Sequence, residues 1–162
     1  MADAMKKLTR DQFIPFLDTA KDSTFAANTW KRIDYSTIFE LTVGEQEEDM
    51  DYICYANAVT EINSNKPELP QEIACYEGNP IYDFMFQQLY NLPVGSDVKV
   101  PFLMCFGGKD KKAWRCMATL TSKVLNTVDG KITFSIKMGG DIEKGTYEIT
   151  EGAPTFTATP SE

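Results

Sequence analysis

Only one stretch of this chain repeats its apolar residues at the period of a helix, so whatever it folds into must be strand almost everywhere else. That stretch lies within Lys66 to Tyr90. Gly78 breaks what precedes it, and Asn79 suits an N-cap because its side-chain oxygen can accept from an unpaired first-turn N–H. Pro80 suits the first helical position, where its missing N–H costs nothing. Ile81, Phe84, Met85 and Leu89 then recur at i, i+3, i+4 and i+8, one apolar stripe for a core. Asn91 and Pro93 end the run. The spacing predicts an amphipathic helix over about residues 80–90, with a loop from Lys66 to Gly78 leading into it.

On both sides the apolar period is two. Phe13 to Asp18 contains Pro15 and reads as a short edge strand; Asp18 to Asn28 reads as a loop, and Trp30 to Tyr35 as a strand. Phe39, Leu41 and Val43 alternate with Glu40 and Thr42, the pattern of a half-buried strand. Tyr52 to Ala56 resumes strand-like chemistry, so Phe39 to Ala56 reads as two strands joined by a long acidic excursion. Val98, Val100, Phe102, Met104 and Phe106 form an alternating stripe, with Pro101 expected at an edge or bulge. Trp114, Cys116, Ala118 and Leu120 alternate in a strand that runs on towards Val124. Asn126 to Lys131 is a hairpin turn in which Asp129-Gly130 supplies the positive φ. Ile132, Phe134, Ile136 and Met138 give a strong outgoing strand. Gly139, Gly140 and Gly145 bracket a turn, and Thr146 to Ile149 and Thr155 to Ala158 close the chain.

One helix and seven or eight mostly antiparallel strands predict a mainly β fold: an antiparallel β-sandwich or barrel with a single flanking helix. The length, 162 residues, fits a single domain over 1–162. To it we add a polar N-terminal arm (about 1–12) and a long acidic hairpin excursion (about 44–56). Hydrophobic residues make up 43% of the chain and mean hydropathy is −0.30, the balance of a water-soluble globule. No window approaches the ~18 uncharged apolar residues of a spanning helix, so no membrane partner is expected. The first ten residues lack the apolar core of a signal peptide, which points to the cytosol of the cell that makes the protein.

Net charge is −8 with a pI near 4.6, which argues against tight binding to a phosphate backbone. The chain has no histidine, which removes Ser-His and Cys-His pairs, histidine bases and imidazole metal sites together. Cys54, Cys75, Cys105 and Cys116 show neither a Cys-x-x-Cys pair nor zinc spacing and read as reduced core thiols. We therefore expect no catalytic residues, no cofactor and no metal, and no enzymatic activity.

Two loops stand out by charge. Glu45, Glu47, Glu48, Asp49 and Asp51, followed by Tyr52, lack the Asp-x-Asp-x-Asp-Gly order of a calcium loop. Nothing fixes two of these carboxylates at a working separation for hydrolysis; a solvated face or a partner contact fits them best. Gly107 to Lys112, with Lys109, Lys111 and Lys112, has neither the spacing nor the following helix of a phosphate loop. Trp30, Tyr76, Tyr82 and Tyr90 fall outside the core stripes and suit an interface. Physical reasoning alone gives an acidic β-rich domain built for self-assembly.

At Lys66 to Phe84, Lys-Pro-Glu-Leu-Pro-Gln-Glu-Ile-Ala-Cys-Tyr-Glu-Gly-Asn-Pro-Ile-Tyr-Asp-Phe, the sequence resembles the tail tube proteins (major tail proteins) of long-tailed bacteriophages and prophages. Phe16-Leu-Asp-Thr, Phe39-Glu-Leu-Thr-Val, Gln46-Glu-Glu-Asp-Met-Asp-Tyr-Ile and Ile132 to Thr146 match in the same order, so the resemblance covers nearly the whole chain. It implies a tail-tube-like β subunit, six copies of which form a ring, with rings stacked into a hollow tube that delivers DNA. It implies an electronegative lumen through which genomic DNA passes without specific binding, consistent with the net charge. Implied partners are other copies of the chain and, in the tail, the tape measure, tail terminator and distal tail proteins. The implied location is the virion tail, after assembly in the bacterial host cytoplasm. Gly44 to Tyr55 corresponds to a hairpin excursion reaching neighbouring subunits or rings, and Phe39–Val43 and Ile132–Met138 to long strands, some lining the channel. Glu45, Glu47, Glu48, Asp49, Asp51 and Tyr52 would then pair across subunits with Lys109, Lys111 and Lys112. The alternatives are a monomeric small-ligand-binding β-barrel, a carboxylate-based hydrolase, and the inner tube of a contractile injection system.

Overall fold

The computed structural model describes residues 4–26 and 28–160. The first three residues of the expected N-terminal arm lie outside them. Residues 4–9 run without a ladder into a 3-10 turn at Arg10–Gln12. Ten strands follow, antiparallel at every pairing among the described residues. The fold is mainly β with one α-helix, as the periodicities require.

The longest strand, β7 (Lys112–Asn126), is the axis of the molecule. β6 (Lys99–Cys105) pairs along one edge of it. Its other edge is shared end to end by β8 (Lys131–Met138) and β9 (Glu143–Thr150), which the Gly139-Gly140 corner separates. Beyond β6 come β1 (Ile14–Asp18) and β2 (Trp30–Arg32); beyond β9 comes β10 (Ala153–Ala158). β5 (Glu68–Ala74) pairs with β8. The sheet curls until β2 and β10 meet, forming a half-barrel.

Each face of the sheet buries a cluster. Leu17, Phe102, Cys116, Ala118, Leu120, Phe134, Ile136, Met138, Leu69 and Ile73 form the main core, on which α1 (Pro80–Tyr90) lays Ile81 and Met85. The helix keeps its expected bounds, and Asn79 accepts from Ile81 N at 3.2 Å. On the opposite face, inside the curl, Ile14, Phe16, Leu103, Cys105, Ala113 and Tyr147 fill a smaller core with Trp30 and Phe156 packed on it.

Several strands differ from expectation for physical reasons. β1 is interior, not an edge; Pro15 is tolerated because its carbonyl accepts from Ile33 N (3.0 Å), so its missing donor points past the end of β2. β6 is interior too, and Pro101 falls one residue beyond the last β1 pair, Leu17↔Phe102. Lys66 to Gly78 is not a leading loop: β5 occupies most of it. Pro70 is accommodated on the outer edge of β5, between Glu68, which exchanges bonds with Thr42, and Glu72, which accepts from Thr37 N. Phe39 to Val43 is not a strand. It touches β5 by one bridge, Thr42↔Glu68, leaving Phe39 and Val43 exposed and only Leu41 against the core. Gly145 is not a turn residue but lies within β9, where a Cβ would stand 2.1 Å from the Thr157 carbonyl oxygen.

Candidate functional site

The acidic run is itself a strand. β3 (Glu45–Met50) pairs with β4 (Val59–Asn65), and Tyr52 to Ala56, expected to resume a strand, lie in the connecting loop. The excursion is thus longer than the sequence suggests, closing where Lys66 N donates to Gly44 O (3.1 Å). Gly44 is required there: φ is +63° and a Cβ would lie 2.2 Å from Lys66 O.

This hairpin is solvated on both faces. All of β4 is exposed, as is β3 except half-buried Met50. One face carries Glu48 opposite Glu61, a like-charge pair. Asn63 Nδ2 donates to Glu48 (3.0 Å) and Tyr52 Oη donates to Glu61 (2.9 Å), which holds the Tyr52 phenol above its usual range. The other face carries Glu45, Glu47 and Asp49 with Ile62, which is 54% exposed; Asp49 accepts from Thr60 (2.7 Å). From Gly44 to Asn65 there are six acidic residues (Glu45, Glu47, Glu48, Asp49, Asp51, Glu61) and no lysine or arginine. No cation pairs with any of these six carboxylates among the described residues. A two-stranded hairpin with neither face packed is marginal in water.

Lys109, Lys111 and Lys112 sit at the exposed β6–β7 turn, where Phe106 N donates to Lys112 O (2.9 Å) and Lys111 takes φ +47°. Within the chain, no ion pair joins Lys111 or Lys112 to the hairpin among the described residues.

Sequence reasoning missed a second basic surface. Lys99, Thr119 and Lys137 are direct partners across β6, β7 and β8, so they share the face opposite the main core. That face buries Phe16 and Leu103 under the curl but is uncovered further along. There it forms a groove of about 640 Å³ lined by Lys66, Lys99, Lys137, Met117 and Thr119, with Phe25, Asp141 and Glu143 at its wall. Lys66, Lys99 and Lys137 make no ion pair among the described residues. No sequence signal marked them, because the three lysines are far apart in the chain: strand register aligns Lys99 with Lys137, and Lys66, at the base of the hairpin, joins them only in the fold.

The groove wall is anchored from below. Asp18, fully buried at the end of β1, accepts Ala20 N (2.9 Å) and Thr29 N (2.7 Å) on one oxygen, and Asp22 N (2.8 Å) and Asn28 Nδ2 (2.6 Å) on the other. The loop so held presents Phe25 to the Arg115 guanidinium at 4.4 Å; the Phe156 ring lies 4.6 Å from the same guanidinium, and Glu143 pairs with it. An aromatic ridge runs down the helix, where half-buried Tyr82 and Phe86 and exposed Tyr90 follow one another at 6.3 and 6.0 Å, with exposed Leu92 and Val94 following in the chain.

Of the cysteines, Cys105 and Cys116 are buried, Cys75 is partly covered, and Cys54 is exposed on the hairpin loop, not in a core. Among the described residues no three acidic or cysteine side chains converge as metal ligands, and no helix is long and apolar enough to cross a membrane.

No protein-family model matches the sequence, and no curated protein does. The fold, however, is a known one. A chain from the tail of an empty GTA particle, computed with helical refinement in C6 symmetry, superposes with a TM-score of 0.56 at 11% identity, covering 94% of this chain and 100% of that one. A chain of the anti-feeding prophage cap (AFP tube terminating cap) superposes with a TM-score of 0.55 at 10% identity, covering 90% of this chain and 95% of that one. At such identities the likeness is one of fold, extending over nearly the whole length of this chain and of each of the two.

Proposed function

We propose that this chain is a structural subunit of a phage-type tail, and that copies of it assemble, six to a ring, into a stacked hollow tube that delivers DNA. The observation that carries the reading is the end-to-end likeness of fold to a chain from a C6-symmetric tail. The hairpin agrees with it: a charged, two-stranded excursion without a face to bury is stabilised when a neighbour covers it. In this reading the subunit works in the virion tail, after assembly in the host cytoplasm, beside tape measure, terminator and distal tail proteins, and performs no catalysis. Its net charge keeps passing DNA from adhering. The ligand-binding barrel is disfavoured because the curl is filled by Phe16, Leu103 and Tyr147.

A second reading, a tube-terminating cap, is favoured by the likeness to the anti-feeding prophage cap. Sedimentation and negative-stain microscopy at rising concentration test both. Rings about 10 nm wide, the size of six such domains in a circle, that stack into tubes support the tube subunit. Rings that never stack support the cap, and monomers at every concentration overturn both.

A further inference from the structure

The structure leaves two surfaces with opposite and unmet charge. The Glu45–Glu47–Asp49 face of the hairpin has no cation, and the Lys66–Lys99–Lys137 groove has anions only at its wall, Asp141 and Glu143, the latter held by Arg115. We infer that the groove on the open face of β6, β7 and β8 is the acceptor for the β3–β4 hairpin of a second copy of this chain. The inference rests on the self-assembly proposed above and names its contact.

Three features fit the two surfaces together. The first is spacing. Lys99 and Lys137 stand two strands apart, about 9.5 Å, while Glu45, Glu47 and Asp49 recur along one side of β3 every ~6.8 Å, a difference that long lysine side chains span. The second is the apolar centre: Ile62 lies opposite Glu47 on the hairpin, and Met117, two residues along β7 from the Lys99–Thr119–Lys137 row and on the same face, lines the groove beside the lysines. The third is closure. A chain whose hairpin and groove are different patches makes a heterologous contact, the kind that builds a ring when the rotation between copies closes. The β6–β7 turn is the weaker acceptor: Lys111 and Lys112, the latter the first residue of β7, are exposed beside Asp110, whereas strand register aligns Lys99 with Lys137 across the groove.

Charge exchange and cross-linking test this. Lys99→Glu with Lys137→Glu is expected to raise the concentration needed for assembly at least about tenfold, because acid then faces acid. Adding Glu47→Lys with Asp49→Lys to the same chain is expected to restore most of the loss. Failure of either result overturns the groove as acceptor. In a Cys54→Ser background, Ile62→Cys with Met117→Cys is expected to give an intermolecular disulfide in the assembled state, and Ile62→Cys with Lys111→Cys is not. The opposite pattern moves the contact to the β6–β7 turn and overturns the inference while leaving self-assembly standing. Wild-type protein that never assembles overturns both.

Discussion

At the scale of single residues, Asp18 has the largest structural consequence. Its carboxylate ends β1, satisfies three backbone N–H groups and one side-chain amide, and so fixes the loop that carries Phe25 to Arg115. Removing it leaves buried donors without an acceptor. Asp18→Ala should therefore cost about 3 kcal/mol, and Asp18→Asn less, in urea unfolding followed by tryptophan fluorescence. The sequence could not single out Asp18, because an aspartate at a strand end looks the same whether solvated or enclosed; enclosure depends on where residues 19–29 return. The thiols divide by the same logic. Burial pushes Cys105 and Cys116 up to about 12, from an ordinary value near 9. The unfolded chain therefore releases these two protons first as pH rises, and their effect is a loss of stability between about pH 9 and 12, with none below. A thiol reagent at pH 8 should modify Cys54 at once, Cys75 slowly, and Cys105 and Cys116 only on unfolding. Prompt reaction of all four would place the last two outside the core.

At the scale of elements, legibility followed whether the information was local. The helix was readable because cap, proline and stripe lie within a dozen residues. The Asn126 to Lys131 turn was readable too: Asn126 accepts Val128 N and Asp129 N, and Gly130 takes φ +66°. β8 was readable because its alternating residues face a real core. β3 was not, since a strand with both faces in water has no reason to alternate. β5 was hidden by Pro67 and Pro70, and the alternating Phe39 to Val43 segment was misleading because it lies at an edge where little can be buried. The hairpin's independence makes a prediction of its own. Replacing residues 45–65 by a short glycine-containing link should leave the unfolding free energy within about 1 kcal/mol of the full chain, because neither hairpin face packs on the sheet. The shortened chain should fail to assemble. A large loss of stability in urea titration would show that the hairpin supports its own subunit.

At the scale of the whole molecule, two kinds of surface compete to hold copies together, and salt distinguishes them. The helix ridge of Tyr82, Phe86 and Tyr90, with Leu92 and Val94, would associate by burying apolar area, which added NaCl does not screen. The hairpin and the lysine groove would associate through charges partly exposed to solvent. Their attraction falls as the screening length shortens from about 30 Å at 0.01 M to about 3 Å at 1 M salt. Six hairpin carboxylates, Glu45, Glu47, Glu48, Asp49, Asp51 and Glu61, make up most of the net charge of −8, so an assembly that leaves them unpaired also gathers like charge around the ring. Pairing them with Lys66, Lys99 and Lys137 relieves that repulsion; pairing through the helix ridge does not. Light scattering across 0.05 to 1 M NaCl should therefore show assembly weakening as salt rises, with the steepest loss below about 0.3 M, where the screening length shrinks past the reach of a lysine–carboxylate pair. Assembly that strengthens with salt instead would assign the contact to the aromatic ridge and leave the hairpin as a solvated arm.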